Sequence, residues 1–279
     1  MLTGETRLVG LLGDRVSHSL SPRMQNAAFA ARGLDWAYVP LPVNPEDLEA
    51  AVSGLAALGF AGANVTIPHK SAIVSFCDEL DGVAERAASV NTLVVCDGRL
   101  LGSSTDGLAV TDAVAAEDAR VLILGAGGAA VAVAVALLDA GAASVTVAVR
   151  DPDRAPALAA RLLALFPDKE VAAADAWPPR PAGATLLVNA TPLWDELPVE
   201  PSAGQAVVDL AYRTGSEPTA LVEAARKAGC DPVVDGREVL VRQGAASFER
   251  WTGVTAPVDA MRFAISAGEY ATTDTKREE

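Results

Sequence analysis

The sequence predicts an α/β protein of two units with a cleft between them, the second unit a doubly wound parallel sheet. Three observations carry this. Strand and helix signals alternate through the first hundred residues and again from about residue 107, and such alternation builds open α/β sheets. The strand-length runs of the second series are Val, Ile, Leu and Ala, the composition of strands buried on both faces. One of them, Arg120 to Leu124, leads directly into a glycine turn that opens a helix. With 279 residues, 51% of them apolar, the chain can fill one large core or two modest ones.

Taken in order, Leu8 to Leu12 is a short apolar strand that stops at Gly13. Ser21-Pro22 starts a helix, Ser as N-cap and Pro at the first helical position, running to about Arg32. Ala37 to Leu41 reads as a strand, Pro45 to Leu58 as an amphipathic helix closed by Gly59, Gly62 to Ile67 as a strand and Ser71 to Phe76 as a short helix. Val90 to Val95 and Leu100-Leu101 flank Asp97-Gly98, the signature of a tight hairpin. In the second series, strands are predicted at Arg120 to Leu124, Ser144 to Val149, Thr185 to Asn189, Ala206 to Leu210 and Pro232 to Val234. Helices are predicted between them at about Gly127 to Ala140, Asp153 to Phe166 and Thr219 to Ala228. Two further helices, Val239 to Trp251 and Val258 to Ala267, come after this sheet and are free to pack back onto the first half. The polar ending, Thr272 to Glu279, is predicted to be disordered.

Composition narrows the function classes. A net charge of −14 disfavours nucleic acid or an anionic membrane as partner, while leaving room for a small anionic substrate in a locally basic pocket. The three cysteines, Cys77, Cys96 and Cys230, are far apart and odd in number. They read as small buried hydrophobes in a reducing compartment rather than as disulfides or a zinc site. The N-terminus lacks a basic start and long apolar run, the nearest candidate for a membrane span, Val121 to Val149, is broken by glycines and polar residues and alternates strand and helix signals, and a cytoplasmic location is expected.

The turn Gly125-Ala126-Gly127-Gly128-Ala129-Ala130 sits between a strand and a helix, the context that gives glycine spacing its meaning. Gly125 makes the tight turn, Gly127 lets the backbone approach a pyrophosphate, and Ala129 and Ala130 let the helix lie close to the sheet. The helix N-terminus then offers free N–H groups and the positive end of a dipole. This is the fingerprint of a Rossmann-type dinucleotide-binding domain. The next strand ends at Val149, about twenty-five residues beyond Gly125, where an acidic residue selects NAD and an arginine NADP. Arg150 and Arg154 favour NADP. Asp151 and Asp153 leave NAD as the alternative, although Asp153 equally reads as a helix-start carboxylate.

Three patterns in the first half are chemically suggestive. Ser19 and Ser21, two apart before a helix start, are placed to hydrogen-bond a carboxylate. Asn64-Val65-Thr66-Ile67-Pro68-His69-Lys70 puts two polar side chains on one face of a strand end, followed by a cation. Gly102-Ser103-Ser104-Thr105-Asp106-Gly107 ends the hairpin on an acid. Each alone also reads as a cap, a solvated strand end or a turn.

Together, from about Leu8 to Ala267, these motifs resemble the shikimate dehydrogenase family. The resemblance implies that Lys70 is the catalytic lysine and Asp106 its partner. It also implies that Ser19 and Ser21 bind the substrate carboxylate, and that Thr66, Asn91 of Val90-Asn91-Thr92, Tyr212 and Gln243 contact the substrate. On the same basis Gly125, Ala126, Gly127, Gly128, Ala129, Arg150, Arg154 and Gly236 are placed with the cofactor. The chain departs from the family pattern in four places: Ser104 stands for Asn, Asp151 follows Arg150 where a hydroxyl is usual, Trp194-Asp195 replaces a Gly-Met, and Glu238 replaces the second glycine of a Gly-x-Gly-Met stretch. The implied reaction is NADPH-dependent reduction of 3-dehydroshikimate to shikimate, a polyhydroxylated cyclohexene carboxylate, by a monomer or homodimer. Quinate or aminoshikimate dehydrogenases using NAD, or a non-catalytic nucleotide sensor, are the alternatives. Retention of both Lys70 and Asp106 favours catalysis over sensing. The expected division is a substrate domain of residues 1–105 and 237–279 and a dinucleotide-binding domain of residues 106–236.

Overall fold

The computed structural model describes residues 2–181, 183–215 and 217–266; the polar ending and the last residue of the final predicted helix lie outside them. Two six-stranded sheets organise the described residues. The first holds β1 (Arg7–Gly13), β2 (Trp36–Pro42), β3 (Phe60–Val65), β4 (Glu79–Leu80), β5 (Thr92–Cys96) and β6 (Arg99–Ser103), in the order β2-β1-β3-β5-β6-β4. β1 pairs parallel with β2 and β3, whereas β5 runs antiparallel to β3 and β6. The hairpin turn places Asp97 and Gly98 both at positive φ, 51° and 76°, the primed turn that matches strand twist. Helices α1 (Ser21–Ala31), α2 (Leu48–Ala57) and α3 (Gly82–Ala87) belong to this half of the chain.

The second sheet holds β7 (Arg120–Leu124), β8 (Ser144–Ala148), β9 (Glu170–Ala173), β10 (Leu186–Asn189), β11 (Ala206–Asp209) and β12 (Val233–Val234). Its order is β12-β11-β10-β7-β8-β9, parallel throughout, which is the doubly wound dinucleotide-binding order with its switch point between β7 and β10. Helix α5 (Gly128–Asp139) is buried from Ala130 through Leu138. A helix apolar all round must be enclosed, and α5 has the sheet on one side and α3 and α4 (Asp106–Thr111) on another. Its small residues permit that closeness: a Cβ on Gly107 of α4 would stand 2.5 Å from Ala136 Cβ and 2.7 Å from the Ala132 carbonyl. The remaining crossovers are α6 (Arg154–Leu165) and α7 (Ala220–Ala228).

Helices α8 (Gly236–Thr252) and α9 (Val258–Ile265) return to the first sheet. α8 leaves the second sheet with Gly236 against the Ala211 carbonyl, 2.2 Å from where a Cβ would lie. It ends with Trp251 Nε1 donating to Leu93 O at 2.9 Å on the first sheet. Phe248, Met261, Phe29 and Met24 fill the shared core, each contributing roughly 1.5–3 kcal/mol by burial.

Four local expectations need correction. α1 begins at Ser21 itself, with Leu20 at the cap position and no side-chain capping bond, so the Ser21 hydroxyl is left for other work. Asp106 starts a helix rather than closing a capped turn, because α4 is fixed by its crossing on α5. α8 starts three residues before Val239, since Asp235 caps it through Arg237 N and Glu238 N. Cys96 is exposed, at the end of β5 beside the hairpin turn.

Candidate active site

The strand ends and the α4 start bring two opposite charges together. Lys70 lies five residues beyond β3, in a turn held by His69 N donating to Thr66 O at 2.9 Å and by Val90 N donating to Lys70 O at 2.8 Å. The buried His69 ring donates to the Val43 carbonyl at 2.8 Å, which fixes the turn from behind. Lys70 Nζ donates to Asp106 Oδ2 at 2.6 Å, with the two side chains 15% and 7% exposed. Removing either partner would leave a secluded group without its counter-charge.

Asn91 is the hub beside it. The two hydrogens of its Nδ2 are shared among Asp106 Oδ1 at 2.8 Å, Thr105 Oγ1 at 2.9 Å and Gln243 Oε1 at 3.0 Å, and its Oδ1 accepts from Thr105 N at 2.8 Å. Gln243 thus reaches the Lys70–Asp106 pair from the middle of α8. Asn64 continues the network, Nδ2 donating to the Asn91 carbonyl at 3.0 Å while Oδ1 accepts from the Tyr38 hydroxyl at 2.9 Å. The buried Tyr38 phenol faces Ser21, and burial raises its pKa well above the ordinary value. Tyr212, on the loop after β11, faces the Ser19 side chain and the Leu20 backbone; burial raises this phenol also. Thr66 follows β3 with its methyl against Gly13, and its N–H donates to Leu12 O at 2.8 Å. Ser19, Ser21, Tyr38 and Tyr212 therefore belong to one hydrogen-bonded network that reaches Asp106 through Asn64 and Asn91.

The glycine turn lies at the switch point of the second sheet. Gly125 has φ 117°, and a Cβ there would sit 3.1 Å from the Ala190 carbonyl at the end of β10. Gly127 is the N-cap of α5 with no side-chain cap, and nothing lies within 4 Å of its Cβ direction. Free N–H groups beside open space suit a pyrophosphate. Gly128 closes the gap between the halves: a Cβ there would stand 2.5 Å from Ser89 Oγ and 3.0 Å from Lys70 Cβ. Ala126 and Ala129 flank these glycines, and Arg154 Nη2 donates to the Ala126 carbonyl at 3.1 Å. Arg150 is exposed at the end of β8. The Asp151 carboxylate accepts from Asp153 N at 3.1 Å, a turn role that engages one of its oxygens locally. Asp153 occupies the N-cap of α6 without a side-chain capping bond. Gly236 is held by its contact with Ala211, next to Tyr212.

Three family models match in succession: the shikimate dehydrogenase substrate binding domain over residues 11–93, shikimate / quinate 5-dehydrogenase over 108–171, and the shikimate 5'-dehydrogenase C-terminal domain over 236–265. A curated shikimate dehydrogenase (NADP(+)) of Rubrobacter xylanophilus is 49% identical, the alignment covering 95% of this chain and 97% of that protein. The chain belongs to the shikimate dehydrogenase family. Among solved structures, a shikimate dehydrogenase in complex with NADP+ is similar at a TM-score of 0.84 and 34% identity, over 95% of this chain and 96% of that one. The shikimate dehydrogenase of Thermus thermophilus, in complex with NADP(H) and shikimate, is similar at a TM-score of 0.80 and 33% identity, over 93% of this chain and 98% of that one.

Sequence reasoning missed Tyr38, Ser89 and Thr105 as members or neighbours of this site, and Arg237, whose charge lies near the Tyr212 phenol. Tyr38 sits within a predicted strand as an ordinary core aromatic, and its partner Asn64 is 26 residues away. Only Thr105 carried a local signal, being adjacent to Asp106.

Proposed function

We propose that the chain is an NADP-dependent shikimate dehydrogenase that interconverts 3-dehydroshikimate and shikimate. The observation that carries this reading is the secluded Lys70–Asp106 pair, in van der Waals reach of the phosphate-binding turn through Gly128. The two halves take different tasks. Residues 1–105 and 237–279 form the substrate domain and residues 106–236 the dinucleotide-binding domain, from which Asp106 and Tyr212 reach the substrate. Ser19 and Ser21, with Tyr212 beside them, receive the carboxylate; Thr66, Asn91 and Gln243 supply hydroxyl and amide groups for the ring hydroxyls.

The dinucleotide fits the residues present. The uncapped α5 N-terminus and the space at Gly127 would hold its pyrophosphate, the exposed Arg150 guanidinium would donate charge-assisted hydrogen bonds to a 2′-phosphate, and Arg154 stands beside the turn. When bound, the dinucleotide would provide the hydride chemistry through its nicotinamide. In the reducing direction Lys70 Nζ donates a proton to the carbonyl oxygen and its charge stabilises the developing alkoxide. In the oxidising direction it receives the hydroxyl proton. Asp106 orients the ammonium through Oδ2, and Asn91 holds Asp106 through Oδ1. The test is a matrix of shikimate, quinate and aminoshikimate, each with NADP+ and NAD+, followed by the absorbance of the reduced nicotinamide. Shikimate with NADP+ is expected to give the highest kcat/KM. A higher value for quinate or aminoshikimate, or nucleotide binding without turnover, overturns the assignment.

A further inference from the structure

We propose that Arg237 is the positioning residue that holds Tyr212 against the substrate carboxylate site; this rests on the binding role given above to Ser19 and Tyr212. Tyr212 has a problem of reach. It belongs to the loop after β11 of the second sheet, yet its phenol faces Ser19 and Leu20 of the first half. Some contact must fix that loop relative to the first half. Arg237, in the first turn of α8, does so with one guanidinium. Nη1 donates to the Ile265 carbonyl at 2.9 Å, at the end of α9, and α9 packs along α1, the helix that begins with Ser21. Nη2 faces the carbonyls of Arg213 and Thr214, each at 3.2 Å, and of Gly215.

The residues immediately following Tyr212 are thereby tied to the helix layer behind Ser19 and Ser21. A planar fork of donors can serve carbonyls on two elements at once; an ammonium is a single point. The arginine on the loop itself cannot substitute. Arg213 pairs with Asp195 and Glu217, whose side chains are 63% and 78% exposed, and exposed pairs of that kind constrain little. Arg237 also places its charge near the phenol, opposing the rise that burial imposes on it. Gly236 completes the anchor, because only a residue without Cβ lets α8 start against Ala211.

Steady-state kinetics of Tyr212→Phe, Arg237→Ala, Arg237→Lys and the double variant Tyr212→Phe/Arg237→Ala test this. Tyr212→Phe is expected to raise the shikimate KM about tenfold, the scale of one hydrogen bond, with the NADP+ KM unchanged. Arg237→Ala is expected to raise it by a similar factor with kcat within about twofold, and Arg237→Lys by less, since it keeps the charge but not the fork. The decisive value is the double variant, expected to match Tyr212→Phe alone, because a displaced loop costs nothing further once the hydroxyl is gone. Multiplying effects overturn the Arg237 proposal while leaving Tyr212 in place. An unchanged shikimate KM in Tyr212→Phe overturns the carboxylate-site reading itself. If Arg237→Ala does not fold, Arg237→Lys carries the same comparison, and a loss of kcat with both KM values altered reduces Arg237 to a structural residue.

Discussion

Replacing Gly128 with alanine places a methyl group in the seam between the two halves, where the structure leaves no room. The added Cβ would lie 2.5 Å from Ser89 Oγ, 3.0 Å from Lys70 Cβ and 3.4 Å from Ser89 Cβ, whereas carbon atoms settle at about 3.5–4.0 Å. The Ser89 hydroxyl is buried and makes no hydrogen bond, so it can rotate away without loss. Lys70 Cβ cannot move independently, since its own backbone carbonyl is bound by Val90 N. The seam must therefore open by roughly half an ångström to an ångström. Overpacking of this kind costs about 1–3 kcal/mol, and misplacing reacting groups by about 1 Å can cost on the order of 10²-fold in rate. Gly128→Ala is therefore expected to lower kcat for shikimate oxidation by roughly 10- to 100-fold. Gly127→Ala is the internal comparison. Its Cβ meets nothing within 4 Å, so the thermal midpoint should stay at the wild-type value while the NADP+ KM rises as the methyl takes the phosphate's space. Adding Ser89→Gly to Gly128→Ala removes two of the three close contacts and should restore part of kcat. A Gly128→Ala protein as fast as wild type would refute the argument that this contact sets the distance between the turn and Lys70.

Arg150→Ala should raise the KM for NADP+ at least about tenfold, the loss of one charge-assisted contact, and change NAD+ turnover less than twofold; a fall confined to NAD+ would contradict the 2′-phosphate role. Asp209 gives a pH prediction. Burial pushes its carboxyl up to about 6, in spite of hydrogen bonds from Thr219, Ala211 and Asn189. A carboxyl with a higher pKa folded than unfolded favours folding most when protonated, so its contribution is full below about pH 4, declines up to about pH 6 and is then flat. Urea unfolding should show wild type gaining on Asp209→Asn by up to roughly 3 kcal/mol as pH falls across that window; a pH-independent difference would refute it.

Much of the second sheet was legible because its signals are local. Arg120 to Leu124 is a short apolar run followed at once by the glycines that a switch-point turn requires, and strand and helix there fall within a residue of expectation. β9, Glu170–Ala173, escaped notice: it is a four-residue edge strand with alternating half-exposed positions and weak strand formers. α3 and α4 escaped for a different reason. Gly107 reads as part of the turn that ends the hairpin, and both helices are only six residues long; α3 is capped by Asp81, which accepts from Ala84 N, and both pack on α5. Within the site, Lys70 and Asp106 were visible through motif spacing and family resemblance, but their 2.6 Å contact spans 36 residues of sequence. Arg237 had no signal at all. It follows a glycine at a helix start, and its partners, the carbonyls of Arg213, Thr214, Gly215 and Ile265, exist only in the fold.

The account stands or falls on Lys70 as the proton-transferring group, and the most direct measurement is Lys70→Ala with turnover and binding read separately. Removing a general acid typically costs about 10²- to 10⁴-fold. The variant should lose that much kcat for shikimate and NADP+ while binding NADPH with wild-type affinity, because no backbone donor of the α5 N-terminus involves Lys70. Near-normal kcat in Lys70→Ala, with nucleotide affinity intact, would contradict the assignment of the chemistry to the Lys70–Asp106 pair.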